Sequence, residues 1–125
     1  MEKQIQVRVE LTIADDKIEE LMSQMPSIIE RVERNEPDII GYQWYLSEND
    51  TKCYIIEWFK NPQAWLTHLS NVEPTLPALF AIAPITLFEA FGDIPKEVED
   101  IVKPLGAVIY KRLSGFIRQS VETAT

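Results

Sequence analysis

Cysteine and histidine are almost missing from this 125-residue chain: Cys53 and His68 are the only examples. One thiol closes no disulfide within a chain, and one thiol with one imidazole makes no thiolate or histidine metal cluster. A lone cysteine fits a reducing compartment, so the expected location is the cytoplasm. Glycine is scarce as well. Gly41, Gly92, Gly106 and Gly115 stand isolated, which leaves no glycine-rich phosphate loop. No serine sits in a Ser-His-Asp signature. No apolar run approaches the roughly 18–20 residues that cross a bilayer. No basic segment followed by an apolar run precedes the first strand pattern, so no signal peptide is expected. Basic residues are outnumbered, 12 Lys and Arg against 20 Asp and Glu, for a net charge of −8. The acid excess lies in residues 1–94, with 16 acids against 7 bases, whereas residues 95–125 carry 4 against 5. An acidic body repels phosphates, so neither nucleic acid nor an anionic membrane is an expected partner.

What is present is strong patterning. Ile5, Val7, Val9, Leu11 and Ile13 alternate with polar residues, which predicts a half-buried strand. Asp15 or Asp16 offers a helix cap, and Ile18, Leu21, Met22, Met25, Ile29 and Val32 follow at helical spacing. Pro26 should kink or split that helix. Glu36-Pro37 ends it. Residues 40–46 and 53–59 read as strands joined by the polar loop 47–51. Asn61-Pro62 reads as the cap and first residue of a second helix, with Trp65, His68, Leu69 and Val72 on one face. After a possible helical turn near Leu79 and Ile82, residues 85–91 form a fourth strand.

The order β-α-β-β-α-β predicts an α+β, ferredoxin-like split arrangement with a four-stranded antiparallel sheet. Residues 1–94 make that domain. Residues 95–125 are expected to add two helices, through Val98–Leu105 and through 108–117, packed on the same domain. In the third strand Tyr54, Ile56 and Trp58 point one way, and Cys53, Ile55, Glu57 and Phe59 the other. Both faces read as apolar, so a second subunit or the C-terminal helices should cover the outer one; a homodimer is the favoured expectation. Glu57 and Glu89 stand on apolar strands, where a carboxylate must be paired, protonated or facing a cavity. Arg8, Lys60 or a helix terminus are the expected partners.

Two stretches together resemble a known family. "EPDIIGYQWY" (36–45) is similar to an E-P-G entry into an aromatic strand, with Asp38 at the glycine position. "EWFKNPQAWLTHLSN" (57–71) is similar to a strand glutamate followed by a helix with Ala-x-x-x-His-x-x-Ser; here these are Glu57, Ala64 and His68, with Ser70 one place early. The chain resembles the antibiotic biosynthesis monooxygenase superfamily over about residues 5–92. That resemblance implies a dimeric α+β barrel and, in some branches, a cofactor-independent oxygenase of phenols or quinols. The haem-degrading branch is disfavoured, since residues 74–81 hold no histidine and the strand-one asparagine is missing.

A cofactor-free oxygenase needs a dry pocket, a base and groups that hold the substrate anion. His68 suits the base, because its ordinary pKa lies near neutrality. Glu57 is placed to orient or balance it. Tyr42, Trp44, Trp58 and Trp65 are candidates to sandwich a flat aromatic molecule. No cofactor and no metal is expected. The same residues also fit a plainer account: His68 as a hydrogen-bonded helix residue, the aromatic rings as core, and Cys53 as a small buried hydrophobe. The functional alternatives are therefore an oxygenase, a non-catalytic dimer that binds a small ligand, or a protein-interaction module.

Overall fold

The computed structural model describes residues 4–118. Five strands form one sheet in the order β2-β3-β1-β4-β5. They are β1 Ile5–Thr12, β2 Ile39–Leu46, β3 Lys52–Phe59, β4 Ile85–Phe91 and β5 Val108–Tyr110. The first four pair antiparallel, and β5 joins β4 in parallel. Helices α1 (Ile18–Asn35), α2 (Pro62–Val72), α3 (Leu76–Ile82) and α4 (Lys96–Val102) complete the chain. The α+β, ferredoxin-like expectation holds, and the sheet remains open rather than closing into a barrel within one chain.

The alternation in β1 and β3 decides the sides. Registry places Ile5 opposite Phe59, Val7 opposite Glu57 and Leu11 opposite Cys53, and all six are buried. Cys53 is thus a core residue, and its burial pushes the thiol up to about 11. On this face lie two apolar clusters. One gathers Trp65 of α2 with Val98 and Val102 of α4; the other gathers Leu21 and Ile28 of α1 with Leu79 and Ile82 of α3.

Four local expectations are corrected. The sheet has five strands, not four, and the second C-terminal helix does not form. Gly106, in the left-handed region at φ 106°, ends the turn after α4, and the β-branched Val108 and Ile109 then pair with the otherwise bare edge of β4. Gly115, at φ 129°, breaks the remaining segment. Neither Asp15 nor Asp16 caps α1; Asp16 takes φ 61° in the turn, and Lys17 holds the cap position without a side-chain bond. Pro26 also does not split α1, which continues through it as one helix. Pro26 is exposed, so water can satisfy the carbonyl it leaves free, while buried Leu21, Ile28 and Val32 hold both halves to the sheet.

The outer face of the sheet is mixed rather than apolar. Tyr54, Ile56 and Trp58 are half-buried there, but their β1 neighbours are Glu10, Arg8 and Gln6. Glu10 accepts hydrogen bonds from the hydroxyls of Tyr54 and Thr86 and lies 3.6 Å from Lys52 Nζ. Arg8 lies over the Tyr54 ring, 5.4 Å from its centroid. Glu89, expected to pair with Arg8, Lys60 or a helix end, instead accepts a hydrogen bond from the Tyr110 hydroxyl of β5 at 3.0 Å.

Candidate active site

Helix α2 begins as its sequence dictates. Asn61 Oδ1 accepts from the Ala64 N–H at 2.9 Å, and Pro62 fills the first helical position, where no N–H is needed. This fixes the helix above β3 and turns Trp65, His68 and Val72 inward. His68 is only 3% exposed, and two carboxylates meet it there: Glu57 of β3, 5% exposed, and Glu36 just beyond α1, 4% exposed. Nδ1 lies 3.0 Å from both Glu36 oxygens, and Nε2 lies 3.4 Å from Glu57 Oε2. The Asn71 amide donates to Glu36 Oε2 at 2.7 Å. Phe59 and Tyr42 flank the imidazole, with ring centroids 5.4 and 5.3 Å away.

These surroundings set the charge of His68. Burial opposes an imidazolium, but the Glu57 charge and the hydrogen bond to Glu36 outweigh it and raise the pKa to about 10. The shift favours the form protonated on both nitrogens, in which Nδ1–H donates to Glu36 and Nε2–H faces Glu57. The two carboxylates thus favour the charged imidazolium beyond what the ordinary histidine pKa suggests. Burial, and then the Glu57 charge, push the Tyr42 phenol far up, so it stays a hydrogen-bond donor.

An apolar cavity of about 180 Å³ opens beside this cluster. Its polar lining comes from Tyr42, Trp44, Glu57, Trp65, His68 and Thr75. Five of the six residues singled out from the sequence thus converge. Trp58 does not: it lies on the outer face, opposite Gly41, whose absent side chain lets the indole approach. Two features were missed. Glu36 was read only as a helix stop and part of a motif; proline after it hinted at a fixed position, but nothing local pointed to His68. The second is a pair of unsatisfied donors. Among the described residues, neither Trp44 Nε1 nor Trp65 Nε1 has a hydrogen-bond partner, although both are buried. An unpaired buried donor costs on the order of 1–3 kcal/mol.

The model of the family described as antibiotic biosynthesis monooxygenase matches residues 5–74. The chain belongs to this family. The antibiotic biosynthesis monooxygenase match spans β1 through the start of the turn after α2, and so includes Glu36, Glu57 and His68. A search of curated protein sequences found no match. Among solved structures the chain is similar to MupZ from Pseudomonas fluorescens, with 21% identity, a TM-score of 0.80, and coverage of 94% of this chain and 97% of that one. It is also similar to a point mutant of SnoaB, a cofactor-independent oxygenase from Streptomyces nogalater, with 14% identity, a TM-score of 0.64, and coverage of 75% and 96%. A conserved protein from Methanosarcina mazei shows 20% identity, a TM-score of 0.61, and coverage of 71% and 89%. These likenesses speak to the fold. The likeness to MupZ covers 94% of this chain, against 75% for SnoaB.

Proposed function

We propose that this member of the family is a cofactor-independent monooxygenase acting on an electron-rich phenol or quinol held in the cavity. The observation that carries the reading is the Glu57–His68 ion pair lining an otherwise apolar chamber. Glu57 takes the phenolic proton. The His68 imidazolium balances the phenolate, and the Tyr42 hydroxyl holds its oxygen. The phenolate passes one electron to O₂, and the resulting radical pair joins at a ring carbon para to the oxygen that carries hydrogen in the substrate. Glu57 returns its proton to the peroxide. Loss of water, with the para hydrogen, leaves a para-quinone. One oxygen atom ends in the quinone and the other in water, and the phenol supplies all four electrons.

Size narrows the substrate. A dry cavity of about 150 Å³ holds one benzene ring, so 180 Å³ favours a single substituted ring over a polycyclic one. The same reading has the protein act as a cytoplasmic homodimer, with the outer sheet face, around Ile56 and Trp58, covered by the second copy.

The test is oxygen uptake by purified protein, without added cofactor, across single-ring phenols and quinols and larger dihydroxynaphthalenes. Uptake matched mole for mole by quinone, and lowered about 10²- to 10⁴-fold in Glu57→Gln, is expected. No uptake with any substrate overturns the oxygenase reading. The charge state of His68 favours one alternative: an acid beside a carboxylate also moves protons within a bound molecule. Conversion without oxygen consumption would establish that reading instead.

A further inference from the structure

Glu36 belongs to two places at once. It hydrogen-bonds His68, which lines the apolar cavity, yet Glu36 itself lines a different cleft of about 470 Å³ between the end of α1 and the start of β2. That cleft is bordered by Glu33, Ile39, Ile40 and Gly41, and Tyr42 is the wall it shares with the cavity. Glu33 and Ile40 are exposed, so the cleft is open to water. The cavity is lined mostly by aliphatic and aromatic side chains, among them Val9, Ile55, Leu79 and Phe88.

We propose that Glu36 is a positioning residue that serves as the proton port of the site: His68 exchanges its Nδ1 proton with solvent through Glu36 and the outer cleft, not through the substrate cavity. The step is a proton transfer without redox change. The Nδ1–H bond breaks, an O–H bond forms on Glu36, and water in the cleft takes that proton on. The imidazole left behind is neutral and keeps its Nε2–H toward Glu57. Protonation of the pair can then follow the medium while the cavity stays dry and occupied. The inference rests on the Glu57–His68 pair of the proposed function but not on any oxygen chemistry.

The groups around His68 allow this route. Glu57 faces it from β3, Tyr42 from β2 and Glu36 from beyond α1. The α1 cation Arg31 does not reach it directly, because its Nε donates to the Asn71 carbonyl at 2.6 Å. Asn71 in turn fixes Glu36, leaving the carboxylate oriented toward Nδ1.

Because His68 is the sole histidine, its imidazole nitrogens give unambiguous ¹⁵N NMR signals in the intact chain. The test measures exchange of the Nδ1 proton with water, with no substrate present. Glu36→Gln should slow that exchange at least tenfold, whereas Glu57→Gln should leave it fast while lowering the His68 titration midpoint. Ile40→Trp places an indole at the mouth of the cleft and replaces none of the three buried groups. It should slow exchange by a similar factor with the midpoint unchanged. Nδ1 exchange at the wild-type rate in folded Glu36→Gln, or in Ile40→Trp should Glu36→Gln not fold, overturns the port. Absence of oxygen uptake would sink the oxygenase reading and leave these measurements standing.

Discussion

A single imidazole between two buried carboxylates governs the chemistry of individual residues. Its raised pKa links charge to stability with a definite sign. The folded state holds the proton to about pH 10, whereas an unfolded chain releases it near 6.5. The stabilisation is therefore complete below about 6.5, shrinks as pH rises, and is lost above about 10. Urea midpoints between pH 6 and 10.5 should fall across that window, and a flat profile would show that His68 is not charged. His68→Ala leaves Glu36 and Glu57 buried without their cation and should cost about 3–5 kcal/mol at pH 7, again read from urea unfolding. At this scale the sequence was partly legible. Strand alternation put Glu57 on the core face, and helical spacing put His68 toward it. The same alternation placed Trp58 on the opposite face from Glu57, and grouping it with Tyr42 and Trp44 overrode that signal. Glu36 was hidden because its contact with His68 spans 32 positions and exists only after α1, β2 and α2 have packed.

Among the elements, those with chemical punctuation were readable and those without it were not. Asn61-Pro62 sets the start of α2 by a bond that can be drawn from the sequence, and it forms. Helix α1 passes through Pro26 because tertiary burial on either side outweighs one lost backbone bond. Since Pro26 is exposed, Pro26→Ala should raise stability by about 1–3 kcal/mol, visible as a higher thermal midpoint. No gain would mean that proline's stiffening of the unfolded chain cancels the repair. The segment 108–117 has apolar residues at helical spacing, yet its first residues serve as a strand because β4 offers an unpaired edge. No local pattern reports a vacant edge, so this part was illegible.

For the whole molecule, the question is what lies against the outer sheet face. In one chain this face combines the Glu10–Lys52 pair, and Arg8 over the Tyr54 ring, with half-buried Ile56 and Trp58. If a second copy covers it, Ile56→Glu should turn a species of twice 14.4 kDa into one of that mass in sedimentation, with little change in the single-chain fold. A wild-type protein that sediments at 14.4 kDa would remove the homodimer from the proposal. The fold class was legible because two periodicities, near 2 and 3.6, follow one another in a recognisable order. The open sheet and its fifth strand depend on contacts that no single segment encodes.

The place of β1 has a consequence for synthesis on the ribosome. It is the central strand, yet its partners are β3 and β4, and the last of these ends only at Phe91. At roughly 5–20 residues per second, a nascent chain carries this strand for several seconds before both edges are filled. Its charged outer row, Arg8 and Glu10, is then a guard against pairing with other emerging chains.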